Sequence, residues 1–153
     1  MENAATAFAC VDALRDRGYL IPDEAVVRGL ASVSWPGRLE VLQERPLVIA
    51  DGAHNRDSAR RFRQALAEYF SCQRALFIIG VSADKDVRGL AEELTPVAAG
   101  VIATQSQHPR AMPPERIADA FAGLGVTTAV AKTVGEALKQ AVAVVGEQGV
   151  ICL

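Results

Sequence analysis

The sequence predicts an α/β fold: a Rossmann-like, open, mostly parallel sheet of about six strands with helices on both faces, preceded by a helical tail. Three observations carry this. From residue 39 onward, short runs rich in Val, Ile and Phe recur along the chain. Most are continuously apolar, which suits strands covered on both faces. Between them, apolar residues return at helical spacing, so strand and helix alternate.

The elements follow in order. Residues 2–17, "ENAATAFACVDALRDR", form a helix on the spacing of Ala4, Ala7, Phe8, Val11 and Leu14, and Gly18 marks its stop. A second short helix covers 23–31, with Pro22 before it and Asp23 and Glu24 in its first turn. Pro36-Gly37 then signals a turn. "LEVLQ" (39–43) alternates like a half-buried strand. "PLVIADGA" (46–53), "RALFIIGVS" (74–82), "GVIATQSQ" (100–107), "TTAVAK" (127–132) and "GVICL" (149–153) supply the remaining strands. Helical patterns fill 56–70, 87–95, 114–124 and 134–146. The first helix lacks a visible cap and the last strand stops in mid-run at Leu153, so the chain reads as an excerpt of a longer protein. Residues 1–33 read as the helical end of a preceding domain and 34–153 as a second domain, truncated at its end, with the boundary at 32–37.

Bulk properties narrow the function. The 153 residues are 50% hydrophobic and 22% charged, a globular composition. A formal charge of −2 and 5% aromatics argue against a nucleic-acid surface or a base-stacking platform. Cys10, Cys72 and Cys152 are odd in number, far apart and outside any CxxC, which fits reduced cysteines. No leader pattern opens the chain and its apolar runs are too short to cross a bilayer. A cytoplasmic protein with small-molecule ligands is the expectation. The chain has no GxxxxGK[ST] loop, no GxGxxG fingerprint, no paired histidines at metal spacing and no GxSxG elbow. It therefore holds neither a complete ATPase nor a dehydrogenase, and no metal ligands are expected in it.

In open parallel sheets, ligands bind beyond the carboxyl ends of the strands. Three polar loops fall there: "DGAHN" (51–55), "SADKD" (82–86) and "TQSQHPRA" (104–111). In the first, Gly52 allows a sharp turn, Asn55 is placed to cap the following helix, and that helix end suits an anion. Asp51, at the strand tip, could accept ribose hydroxyls or attract a cation, and His54 could meet an anion. The equal alternative is a turn whose Asp and Asn satisfy backbone groups. In the second loop, Lys85 reads as a phosphate contact or a solvated lysine, with Asp86 as a cap. In the third, Arg110 reads as a carboxylate clamp or as part of a turn steered by Pro109, Pro113 and Pro114. Arg38, beside Pro36-Gly37, could reach a phosphate or stand alone on the surface.

Read together, "NAATA" (3–7), "WPGRLEVL" (35–42), "DGAHN" (51–55), "GVSADKD" (80–86) and "HPRA" (108–111) occur in family-like order and spacing. The chain resembles the C-terminal part of the folylpolyglutamate synthases, often bifunctional with dihydrofolate synthase, of the Mur ligase superfamily. The resemblance implies a Mur ligase-type Rossmann-like domain that closes over a preceding P-loop ATPase domain. It implies ATP with Mg2+, whose ligands belong upstream, and L-glutamate added to folate or dihydropteroate through an acyl phosphate. By position, it implies ATP contacts at Asn3, Arg38 and Asp51. It puts His54, the catalytic candidate, nearer the glutamate or the transferred phosphate, and gives Lys85, Asp86 and Arg110 substrate or phosphate positions. Arg56 stands where the family usually has proline. The isolated chain is expected to be inactive. Two other readings stay open: a non-catalytic nucleotide-binding or interaction module, and a Mur-type ligase for another amino acid.

Overall fold

The computed structural model describes residues 2–153, with Glu2 as backbone only. The chain divides into two compact units that meet in sequence between Pro36 and Gly37.

The first unit is a helical pair, α1 (Glu2–Arg15) and α2 (Asp23–Ala31). α1 ends earlier than its periodicity suggests. Arg17 and Gly18 donate to the carbonyls three residues back, Leu14 and Arg15, which tightens the last turn. Arg15 fastens the pair: Nε and Nη2 donate to the Ile21 carbonyl at 2.9 and 2.7 Å, and Nη2 pairs with Asp23 at 2.6 Å. Phe8, Val11, Ile21, Val26 and Leu30 line a groove of about 330 Å³ between the helices. Within this unit α2 buries no residue.

The second unit carries the sheet: β1 (Glu40–Glu44), β2 (Leu47–Ala50), β3 (Ala75–Ile79), β4 (Ala98–Ala103), β5 (Thr128–Val130) and β6 (Val150–Cys152). The helices are α3 (Arg56–Phe70), α4 (Val87–Leu94), α5 (Pro114–Ala122) and α6 (Val134–Val145). Strand order is β1-β2-β6-β3-β4-β5, parallel except for β1 against β2. The crossovers from β2 to β3 to β4 to β5 all step in one direction, so right-handed connections put α3, α4 and α5 on one face. The step from β5 to β6 reverses direction, and the same handedness sends α6 to the other face. The two cores show it. Ile49, Phe77, Ile79, Val101 and Cys152 pack with Phe62, Leu66, Leu90, Ile117 and Phe121 of the three-helix face. Val48, Leu76, Ile78, Ile102 and Ile151 pack with Ala137 and Ala141 of α6. Successive residues of β3 alternate between the two cores, as a strand covered on both sides requires.

β1 departs from its expected half-burial. Val41 and Leu42 are 46% and 54% exposed. The reason is a register shift between Val41 and Gln43 on an edge strand, which breaks the two-residue alternation. β4 starts at Ala98, earlier than its sequence run, because a 3-10 turn over Thr95–Val97 delivers the chain directly into the sheet.

Helices α3 and α4 are joined by ion pairs. Arg60 and Arg63 reach Glu93 at 3.0 and 3.3 Å, and Arg56 pairs with Glu92. The hydrogen bond from Arg60, opposed by partial desolvation and aided by the Arg60 and Arg63 charges, holds Glu93 below its ordinary value of 4.5. A depressed carboxyl contributes stability that is fully present above 4.5 and is lost as pH falls through the folded value. The urea midpoint of Glu93→Gln should therefore lie below wild type at neutral pH, with the gap closing under pH 4.5. A gap constant with pH would show that the pairing contributes nothing.

Candidate functional site

At the carboxyl end of β2 the chain turns into α3 through residues 51–55, and local hydrogen bonds fix this turn. Asn55 caps α3: its side chain accepts from the Ser58 N–H at 2.9 Å. Ser58 reciprocates, its hydroxyl oxygen accepting from the N–H groups of His54 and Asn55 at 3.0 and 3.1 Å. This closed box explains why no proline is needed at Arg56. Arg56 instead turns toward α4 and Glu92.

Asp51 ties this turn to the segment leading into β1. Its Oδ2 accepts from the Leu39 N–H at 3.0 Å and its Oδ1 from the Ala53 N–H at 2.9 Å. Leu39 sits at φ 48°, a left-handed conformation that a leucine rarely adopts, and the Asp51 carboxylate holds it there. Gly52 donates to the Gly37 carbonyl at 2.8 Å. A side chain at Gly52 would begin 3.0 Å from Arg38 Nη1, so the absence of a Cβ lets the guanidinium approach. Arg38 and Asp51 line one cleft of about 180 Å³ with Ser58 and Arg61. His54 lies exposed on the same turn, with Nδ1 2.7 Å from the Gly52 carbonyl. A carbonyl only accepts, so Nδ1 carries the proton. Arg38, Asp51 and His54 thus converge around Gly52. The backbone-satisfying and ligand-binding readings of Asp51 are compatible, since each carboxylate oxygen keeps a second lone pair.

The loops after β3 and β4 form a second cluster. They are bound by the Ser82–Ala111 bridge, by Ala83 N–H donating to the Arg110 carbonyl at 2.7 Å, and by Met112 N–H donating to Val81 at 2.8 Å. Asp86 caps α4, accepting from the Gly89 N–H at 2.9 Å. Lys85 pairs with Asp84 at 3.2 Å. The hydrogen bond from Lys85, with the Arg110 charge as a smaller cause, holds the Asp84 carboxyl below its ordinary range. The Arg110 N–H donates to His108 Nδ1 at 3.1 Å, which shapes the turn around Pro109. Lys85 and Arg110 therefore stand at one rim. A cavity of about 90 Å³ under the first loop, lined by Asp51, Ala53, Gly80, Val81 and Leu153, adjoins both clusters.

Asn3 is exposed on α1 in the separate helical unit. Among the described residues no group of three His, Cys, Asp or Glu is placed to hold a metal ion. No described helix is long and apolar enough to cross a membrane. The three cysteines are unbonded, with Cys10 exposed and Cys72 and Cys152 buried; burial pushes both buried thiols up.

Sequence reasoning missed the left-handed Leu39, the reciprocal role of Ser58, and Thr104, a residue 2% exposed whose hydroxyl has no hydrogen-bond partner among the described residues. The spacing Asn-x-x-Ser could have revealed Ser58. Nothing local marks the other two.

The model of the family described as "Mur ligase, glutamate ligase domain" matches residues 37–153. A "Dihydrofolate synthase/folylpolyglutamate synthase" of Mycobacterium tuberculosis is 37% identical over 118 residues, covering 76% of this chain and 24% of that protein. The structure of E. coli FolC in complex with DHPP and ADP superposes with a TM-score of 0.84 at 29% identity, over 98% of this chain and 34% of that one. A bifunctional folylpolyglutamate synthase/dihydrofolate synthase solved with Mn, AMPPNP and L-glutamate gives 0.79 at 28% identity, over 93% and 34%. The chain thus spans about a quarter to a third of the length of these relatives.

Proposed function

The chain belongs to the Mur ligase family through its glutamate ligase domain, and from that premise we propose that it is the C-terminal part of an ATP-dependent ligase adding L-glutamate to folate or dihydropteroate. Residues 1–33 are then the helical end of a preceding ATPase domain, and 34–153 the domain that closes over it. The observation that carries the reading is the convergence of Arg38, Asp51 and His54 around Gly52, beyond the carboxyl end of a parallel sheet. The relatives' complexes with ADP, and with AMPPNP, Mn and L-glutamate, support it.

In this reaction a substrate carboxylate attacks the γ-phosphate of ATP, giving an acyl phosphate and ADP. The glutamate amine then adds to the acyl carbon, and phosphate leaves. Charge develops on phosphoryl oxygens in the first step and on the tetrahedral oxygen in the second, so preorganised cations lower both barriers. Arg38 supplies a guanidinium for the ATP phosphates. Asp51 offers its remaining lone pairs to the ribose, and Asn3 the adenine side. His54, exposed on its turn, meets the glutamate or the departing phosphate. Lys85 and Arg110 add positive charge on the second rim, and Asp86 holds the Lys85 loop through its cap. Magnesium would neutralise ATP phosphates, held by ligands of the preceding domain.

ATP titrated into the isotopically labelled chain should shift amide signals of Arg38, Asp51 and His54, with weak affinity. The same samples, given ATP, dihydropteroate and L-glutamate, should release no phosphate. Shifts confined to a face remote from these residues would overturn the site, and sustained phosphate release would overturn the assignment of the remaining machinery upstream.

A further inference from the structure

We propose that Arg56 is a positioning residue that couples the two rims of the candidate site, fixing the loop that carries Lys85 against the turn that carries Asp51 and His54. The inference rests on the site proposed above, whose two rims it joins.

The backbone does not ask for an arginine at this position. Arg56 is the first residue of α3, where the N–H has no acceptor within the helix. Asn55 before it is extended, at φ −145° and ψ 171°, and Asn55 and Ser58 already close the cap. A proline, which presets the first helical φ and accepts an extended neighbour, would fit as well. What the arginine adds is its side chain. This crosses from α3 to α4, where Nη2 pairs with Glu92. On the way Nε passes over Gly89. A Cβ at Gly89 would run into the Asp86 carboxylate and would stand 2.8 Å from Arg56 Nε. Glycine is disfavoured inside a helix, and here the third residue of α4 is glycine because two other side chains fill the space of its own.

Asp86 connects this contact to the loop. Its Oδ1 accepts from the Gly89 N–H at 2.9 Å and caps α4. The residues before it form a tight turn: the Lys85 N–H donates to the Ser82 carbonyl and the Val87 N–H to the Lys85 carbonyl, each at 3.0 Å. Arg56 shares the space over Gly89 with that cap, so it bears on the outgoing end of loop 82–86. Its own backbone follows directly on Asn55, the last residue of turn 51–55. One side chain thus spans from the first rim to the second. Arg60 and Arg63 join the same two helices through Glu93, but farther along α3 from the turn. The Arg56 and Glu92 side chains are 46% and 34% exposed, so their pairing adds little to global stability. Its effect falls on the relative placement of the two loops.

The test compares the labelled chain with Arg56→Pro, Arg56→Ala, Arg56→Lys and Arg60→Ala. Arg56→Pro and Arg56→Ala should keep the circular-dichroism spectrum and melt within about 2 °C of wild type. Without ligand, the Gly89 amide of both should exchange with deuterium about threefold faster, as loss of an exposed pair that limits local opening predicts. Arg56→Lys, which keeps a cation to meet Glu92, should restore the wild-type rate. Arg60→Ala should leave that rate unchanged, although it breaks an ion pair between the same helices. With ATP, wild type should shift amides of Lys85, Asp86 and Gly89 as well as those of Arg38, Asp51 and His54. Arg56→Pro and Arg56→Ala should lose the first set and keep the second, at unchanged ATP affinity. The proposal is overturned by a wild-type Gly89 rate in Arg56→Ala, by equal acceleration in Arg60→Ala, by no restoration in Arg56→Lys, or by ATP shifts that stop at the first rim in wild type. Shifts at Lys85 and Asp86 that persist in Arg56→Ala overturn it as well. Absence of every ATP shift would instead overturn the ligase reading, and the exchange rates would then decide the coupling alone.

Discussion

Asp51→Ala is expected to lower the unfolding free energy by about 3 kcal/mol and, on the function proposed above, to abolish the shifts that ATP produces. Both carboxylate oxygens bind backbone N–H groups in partly buried positions, one across the loop at Leu39 and one locally at Ala53. Each charge-assisted bond contributes about 1.5–3 kcal/mol, less what water recovers at a half-exposed site. Leu39 adds a further term. Its φ of 48° costs about 1–2 kcal/mol in a leucine, and the bond from its N–H to Asp51 offsets that strain. Without the carboxylate, Leu39 relaxes and carries Arg38 away from Gly52. Asp51→Asn keeps one acceptor oxygen but not two, so it should lose about half as much. Urea unfolding checks the magnitude. An Asp51→Ala loss within about 0.5 kcal/mol of zero, the range of an ordinary surface substitution, would show that the carboxylate does not organise the loop.

The consequence for reading such sequences is specific. β2, β3, β4 and β6 were legible because interior parallel strands are continuously apolar, and α3 to α6 because each buries one stripe against the sheet. β1 was not, since its alternation is interrupted by a bulge that only the pairing with β2 reveals. Nor does any local signal insert β6 between β2 and β3. That placement depends on pairing between residues about a hundred positions apart, Val48 with Ile151. Within the site, Asn55 and Asp86 were legible as caps because a cap is a local contract between a side chain and the next turn. Arg56 was not: its partner Glu92 is on another helix, 36 residues on. Thr104 lies furthest from sequence reasoning. "IATQS" reads as a strand running into a polar loop, and only the packed structure shows that one hydroxyl of it is buried without a partner.

Phe77→Ala is expected to be the more damaging change for the fold, about 4 kcal/mol, the middle of the range for deleting a buried aromatic ring. Phe77 is 2% exposed at the centre of β3 and meets Phe62 of α3 edge to face, with centroids 6.3 Å apart and planes at 83°. Its backbone neighbours in the sheet are Val101 and Cys152, both buried, so strands on either side prevent collapse onto the vacancy. The ring also walls the cavity of about 90 Å³ under Asp51 and Ala53, and its removal would enlarge that void. Phe77→Leu retains much of the volume and should cost about 1.5 kcal/mol. Phe62→Ala and Phe77→Ala combined should fall short of additivity by about 0.5–1.5 kcal/mol, the value of the ring pair itself. The cavity also links this substitution to Asp51. With the floor beneath the loop gone, part of what the carboxylate holds in place is already lost, so Asp51→Ala should cost less in the Phe77→Ala background than in wild type. Strict additivity of those two changes in urea unfolding would mean that the loop and the core beneath it are energetically independent, and that packing under the site does nothing to aim Arg38 and Asp51.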